Sequence, residues 1–431
     1  MTNLRDKTII IYDRGAYSYI AQFMAHYYGK VQYHNPSVGL YEKSPLSQIG
    51  KGLIGVDWLE DFWAEIVKIV KENPKEKPVI FFPYIYDGSK QEALRLLGFP
   101  VCGSGMSEKM ELNKLYYKQQ VEKYMGAKSV IRTYLAKGLD DVREYLKNRD
   151  HAVLKNLEKY RGDFETFTHD NPHETEAFLL DVEYSLGVER AKEIAIGIEK
   201  FVDIDCETGC DGFRLDDQMA PNMTVGYEIK DKGYVMRVFE KAPPPIKKVN
   251  DALGPVYKRL GYRGPYSNEM IITKDGRIFP IDDTTRCGSP PTPSLIELYG
   301  KYYAQGVYDL AHGVMPSGDT EWKYGAEIIL SSTWHIKNQL WVGCPKNFDR
   351  NLKLHNGVMK RGEYYCIPDL TEDSSDEFGS VVGVGNTLKE AITKATDAIK
   401  ELHVHDLSYK EGLFDECEEV IEKGRKHGIQ F

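Results

Sequence analysis

The sequence predicts an α/β fold in which a parallel sheet comes first and antiparallel hairpins follow. Three observations predict it. Residues 7–12 (KTIIIY) and 78–82 (PVIFF) are continuous apolar runs, as strands buried on both faces of a parallel sheet are. Stretches with helical spacing alternate with such runs over residues 1–105. Later, two alternating stretches are each interrupted by turn residues, at Asp231-Lys232-Gly233 and at Lys274-Asp275-Gly276, and read as hairpins.

In the first unit, Asp13-Arg14-Gly15 turns the first strand into a helix over residues 16–28. Residues 56–70 carry Leu59, Phe62, Trp63, Ile66, Ile69 and Val70 at three- and four-residue steps, which predicts a second helix. Residues 91–97 form a helix stopped at Gly98, and 99–103 a short strand and turn. The first strand leads into DRGAYS rather than GxGxxG, which argues against a dinucleotide fold.

Residues 108–124 read as one long helix with Lys114 and Lys118 four residues apart on one face. Residues 152–155 (AVLK) read as a strand that delivers Lys155 to a turn at residues 160–164, a position suited to meeting phosphate. A helix over 172–186, an apolar strand over 193–202 and an acidic stretch over 203–211 follow. The hairpin over 227–239 sets Lys230 near Arg237. Pro243-Pro244-Pro245 breaks the chain before a helix over 246–260. Residues 289–294 are a loop and 295–310 a helix. Residues 322–341 and 357–367 read as strands of a smaller terminal unit. The strand at 378–385 precedes a helix over 387–402, started by the capping box Thr387 and Glu390.

Composition narrows the function. With 42% hydrophobic and 28% charged residues, the chain reads as a soluble globular protein. A net charge of -9 argues against non-specific nucleic-acid binding. The seven cysteines contain no CxxC pair, and Cys206 and Cys210 have no nearby partners to complete a zinc site. Reduced thiols, no apolar run near the ~20 residues of a membrane span and no signal-peptide pattern make a cytoplasmic protein the expectation.

Chemistry concentrates in residues 266–289, YSNEMIITKDGRIFPIDDTTRCGS. Strand alternation allows Glu269 and Asp282 to face each other across the hairpin, with Thr284 further along the same face. Two carboxylates and a hydroxyl are donors for Mg²⁺, a hard cation that shares its oxygen ligands with nucleotide phosphates.

The order of these parts resembles the ATP-grasp ligases over most of the chain, and within them phosphoribosylamine–glycine ligase, also called glycinamide ribonucleotide synthetase. Residues 97–118, LGFPVCGSGMSEKMELNKLYYK, are similar to that family's turn and E-x-x-K helix, here Glu111 and Lys114. The segment GSVVGVGNTLKEAITKATDAIKEL is similar to its small C-terminal domain. The resemblance implies an N-terminal domain over 1–105, an ATP-grasp domain over 106–317 with a lid over about 127–198, and a C-terminal domain over 318–431. It implies that Lys114 and Lys155 contact ATP phosphates. Glu199, with backbone groups of Lys200 and Val202, would bind adenine, and Glu207 the ribose. Glu269, Asp282 and Thr284 would hold Mg²⁺, with Mn²⁺ as an alternative. Arg286 and Gly288 would lie near an acyl phosphate, with Arg286 and Lys155 as catalytic groups.

The implied reaction phosphorylates a carboxylate with ATP, so that an amine attacks the acyl phosphate. Partners would be a small carboxylate, glycine or another amino acid, and an amine, with the oligomeric state left open. Where the family has E-x-N, this chain has Asp282-Asp283-Thr284, so Asp283 or a water is an alternative donor. The family's D-H-K-R and N-T-G-G-M-G segments have no counterpart in residues 218–245. A ligase acting on another amine, a peptide or modified nucleoside, and a non-catalytic ATP-binding scaffold are the alternatives.

Overall fold

Strand Thr8–Tyr12 (β1) lies at the centre of a parallel sheet. Lys30–His34 (β2) and Asp57–Trp58 (β3) pair on one side, and Val79–Phe81 (β4) and Val101–Cys102 (β5) on the other, in the order β3-β2-β1-β4-β5. Alternate residues of β1 feed two cores, as its unbroken apolar run requires. Ile9 and Ile11 pack against helix Ser18–Ala25, while Ile10 and Tyr12 pack with Phe62, Ile66 and Leu94. The computed structural model describes residues 2–36, 45–157, 166–229, 232–368 and 375–431. The turn expected at 160–164 and Lys230 therefore lie outside the described residues.

A second sheet is antiparallel and carries its own core. It comprises Thr133–Lys137 (β6), Ala152–Asn156 (β7), Thr166–His169 (β8) and Ala195–Lys200 (β9), in the order β6-β9-β7-β8. Helices Gly138–Leu146 and Pro172–Leu186 contribute Leu139, Val142 and Leu179 to the core, against Leu154, Ile196 and Ile198.

The third sheet has nine strands. It contains Ile204–Leu215 (β10), Gln218–Met219 (β11), Met223–Ile229 (β12), Gly233–Phe239 (β13), Arg263–Thr273 (β14), Ile278–Thr284 (β15) and Tyr324–Ser331 (β16). Strands Glu377–Gly385 and Leu352–Leu354 complete the order β15-β14-β10-β12-β13-β16 beyond β16, and β11 pairs with β10. One face is apolar, with Cys206, Cys210, Val225, Val235 and Met270 packed among Val249, Leu253, Val256, Tyr257, Ala391 and Ile421.

Several expectations differ from the structure. The helix expected from residue 56 begins at Phe62, because Asp61 caps it by accepting from the Ala64 N–H, and Asp57–Trp58 is a strand. The helix expected over 108–124 is interrupted at Asn113, whose extended backbone and side-chain bond to the Tyr116 N–H start a fresh helix, Lys114–Met125. The helix over 295–310 is two, Thr292–Tyr299 and Lys301–Ala311, hinged at Gly300 with φ 54°. Pro244 and Pro245 do not break the chain. They open helix Pro244–Leu260, where a missing N–H leaves no bond unmade.

The terminal strands are also shared differently. Tyr324–Ser331 joins the nine-stranded sheet, while Leu340–Gly343, Gly357–Lys360, Glu363–Cys366 and His403–Val404 form a small sheet of their own. Half of the expected capping box is present: Thr387 accepts from the Glu390 N–H at 3.2 Å, while the Glu390 side chain reaches past the cap to the Asn386 N–H at 3.0 Å.

Gly209 lets β10 and β14 approach, because a Cβ there would stand 2.0 Å from the Asn268 backbone oxygen. Gly209→Ala is expected to lower stability by about 1–3 kcal/mol, measured as a reduced urea midpoint.

Candidate active site

The hairpin β14–β15 delivers its carboxylates by way of an irregularity. From Ile272 opposite Ile278 to Met270 opposite Pro280 the pairing is regular, and continuing it would bring Ile281 to Glu269. A bulge shifts the register there and places Asp282 opposite Glu269 and Thr284 opposite Ser267. Glu269 and Asp282 therefore stand side by side on the open face, as expected.

Asp283 lies on the other face. It is fully buried, and Tyr257 and Tyr117 donate to its carboxylate, the latter at 3.2 Å. It is thus excluded from the ligand set that the sequence left open to it. Burial pushes its carboxyl up to about 7, against the pull of the Tyr257 bond and nearby Arg214. Beside it on the core face, Asn268 ties the strands together. Its side chain donates to Asn250 at 2.9 Å and accepts from the Cys210 N–H at 3.3 Å.

Lys114, the first residue of its helix, makes an ion pair with Asp282. Burial disfavours its charge, but Asp282 outweighs that and raises its pKa. Glu269 is surrounded by like charge. Desolvation within the cleft, then Asp282, Glu228 and Glu207, push its carboxyl up to about 8, against the opposing charge of Lys114. Glu207 thus sits on β10 within the same acidic group as Glu269 and Asp282.

A second charged group faces from the sheet of β6 to β9. Glu199, at the end of β9, is 4% exposed and pairs with Lys118 and, at 3.4 Å, with Lys155 of β7. Lys118 also donates to Thr133 Oγ1 at 2.5 Å and to the Ile131 carbonyl at 3.3 Å. The next residues, exposed Lys200 and half-buried Val202, lead from β9 into β10.

Arg286 is held by Glu111, the first residue of the E-x-x-K pattern. Glu111, 1% exposed, accepts from Arg286 Nε at 2.9 Å and from the Thr285 N–H at 2.9 Å. Arg286 Nη1 donates to Tyr17 Oη at 2.7 Å and to the Cys287 carbonyl at 2.8 Å. Gly288 follows in a tight bend, where a Cβ would lie 2.7 Å from Pro291 Cδ. Sequence reasoning missed Tyr17 and the tasks of Glu111 and Lys118. The four-residue step from Lys114 was the available signal for Lys118, and nothing in the sequence singled out Tyr17.

Among the described residues no group of three or more His, Cys, Asp or Glu is arranged to hold a metal ion by itself. The pair Glu269 and Asp282 nevertheless fits a divalent cation that takes its remaining ligands from phosphate. Their mutual repulsion, which adds to the desolvation that raises Glu269, is what such a cation relieves. No helix among the described residues is long and apolar enough to cross a membrane.

No protein-family model matches the sequence, and no curated protein matches it by sequence. Solved structures do match. Phosphoribosylamine–glycine ligase from Thermotoga maritima superposes with a TM-score of 0.66 at 16% identity, over 93% of this chain and 98% of that one. The biotin carboxylase domain of 2-oxoglutarate carboxylase from Hydrogenobacter thermophilus, in complex with MgADP, ADP and bicarbonate, gives 0.63 at 11% identity, over 93% and 91%. N5-carboxyaminoimidazole ribonucleotide synthetase from Thermotoga maritima gives 0.56 at 15% identity, over 92% and 99%. The chain has the ATP-grasp fold. Within this ATP-grasp fold, Lys155 and Glu199 lie on one antiparallel sheet and Glu269 and Asp282 on the other. Lys114 and Lys118 bridge them from a single helix.

The raised carboxyls set a pH dependence. Glu269, at about 8, and Asp283, at about 7, hold their protons more tightly folded than unfolded. Their contribution to stability is therefore complete below the ordinary carboxylate range and lost as pH rises through 7 to 8. Chemical denaturation of the ligand-free protein is expected to show a fall in unfolding free energy from about pH 5 to pH 8. Glu269→Gln is expected to flatten that slope.

Proposed function

We propose that this protein is an ATP-dependent ligase that joins a small carboxylate to an amine through an acyl phosphate, releasing ADP and phosphate. The observation that carries the reading is the pairing of Glu269 with Asp282 at a bulge, with Lys114 against them and Lys155 facing from the second sheet. The likeness to phosphoribosylamine–glycine ligase and to a biotin carboxylase domain holding MgADP supports it.

Nucleotide phosphates bring several negative charges into this cleft. Lys114 and Lys155 would neutralise and align them. Glu269 and Asp282, with the Thr284 hydroxyl beside them, would hold Mg²⁺. When bound, that ion screens the phosphate charge and ties it to the two carboxylates. Backbone groups at Lys200 and Val202 would meet adenine, and Glu207 the ribose. Arg286, fixed by Glu111 and Tyr17, has no hydrogen-bond partner on Nη2 among the described residues, which suits it to a developing anion. Residues 106–317 would serve as the grasp domain, with 127–198 as the lid that keeps water from the acyl phosphate. We assign the carboxylate to glycine or another amino acid. A second reading, ligation to an amine other than phosphoribosylamine, is favoured by residues 218–245, which lack D-H-K-R and N-T-G-G-M-G.

ADP release is measured with Mg²⁺ and ATP, with and without amino acids and an amine library. Release that needs both additions, and falls about 10²–10³-fold in Asp282→Ala, is the expected result. AMP and pyrophosphate in place of ADP would overturn the acyl phosphate, and absence of ATP binding would overturn the proposal.

A further inference from the structure

Lys118 is fully engaged, and Lys155 is not. An ammonium group has three donors. Those of Lys118 go to the Ile131 carbonyl, to Thr133 Oγ1 and to Glu199 Oε1. Among the described residues, Lys155 Nζ has one partner, Glu199 Oε2, at 3.4 Å. Glu199 joins the two and is 4% exposed, against 21% for Lys118 and 26% for Lys155.

A buried carboxylate stripped of its partners is costly, and the cost appears when one partner is removed and nothing replaces it. If Lys155 alone neutralised Glu199, turning Lys155 toward a phosphate would leave that uncompensated anion behind. With Lys118 in place, Glu199 keeps a close counter-ion after Lys155 departs. The three residues also join three elements. Lys118 lies on helix Lys114–Met125 ahead of β6, Lys155 on β7 and Glu199 near the end of β9.

We infer that Lys118 is a positioning residue: it holds the charge of Glu199 so that Lys155 is exchangeable, passing from Glu199 to the nucleotide phosphates. The inference rests on the nucleotide reading of the site. Lys118 itself does not touch the phosphates. Without its charge Lys155 stays locked on Glu199, and the nucleotide loses that lysine.

The test is a double-mutant cycle read as the Kd for MgATP by calorimetry, which needs no turnover. Lys155→Met is expected to weaken binding by removing the phosphate contact. Lys118→Met is expected to weaken it about 10–100-fold by withholding the same contact. Lys118→Arg, which keeps the charge, is expected to bind within about threefold of wild type. The double variant Lys118→Met/Lys155→Met is expected to bind no worse than the weaker single, because Lys118 acts through Lys155. Lys118→Gln is run alongside. It drops the charge yet retains amide donors for Ile131 and Thr133, and it carries the cycle if Lys118→Met does not fold. Additive losses would show that Lys118 acts independently of Lys155, and would overturn the inference while leaving the nucleotide site intact. Wild-type affinity in the Lys118 charge-removing variants would overturn it as well. Wild type that does not bind MgATP would overturn the reading of the site and this inference with it.

Discussion

One extra residue in β15 governs the site. Regular pairing from the Lys274–Gly276 turn would bring the side chain of Ile281 to Glu269. The bulge substitutes Asp282, sends Thr284 after it along the open face, and turns Asp283 into the core. Bonds to Tyr117 and Tyr257 fix Asp283 there, and Asn268 fixes the partner strand from the same side. A slip of one residue would exchange the faces and bury the open carboxylates. The acidic pair is thus held in place by polar contacts on the core face.

The three lysines of the cleft are each paired, while Glu269 stands among like charges. Asp282 faces Lys114, and Glu199 faces Lys118 and Lys155. Each of these lysines is paired with a carboxylate, so a phosphate entering the cleft would exchange partners with them rather than fill an empty positive pocket. Desolvation costs are lower in an exchange, since the charges are never left bare. Arg286 differs. Its bonds to Glu111 and Tyr17 fix its orientation.

Much of this was legible in residues 266–289 and in the lysine positions, because strand alternation and turn chemistry are local properties. The facing of Glu269 and Asp282 was expected, although the bulge that achieves it was not, since nothing in IFPIDDT marks an inserted residue. Breaks at Asn113 and Gly300 escaped for a similar reason: helical spacing continues on both sides, and only the backbone angles report the interruption. Asp57–Trp58 was hidden inside a helical period that Asp61 cuts short. The tasks of Lys118, Glu111 and Tyr17 depend on partners far along the chain, Glu199, Arg286 and Cys287. Such pairings exist only once the sheets have assembled.

The nine-stranded sheet also imposes an order on synthesis. The parallel sheet of β1 to β5 is complete once β5 has left the ribosome. By contrast, β13 has β12 on one side and must wait for β16 on the other, and β16 in turn waits for Glu377–Gly385. During that interval a growing chain bears a strand with a bare row of amide and carbonyl groups, the feature through which nascent proteins join one another. A chain stalled between β15 and β16 would carry the hairpin of Glu269 and Asp282 in a sheet that still lacks three of its nine strands.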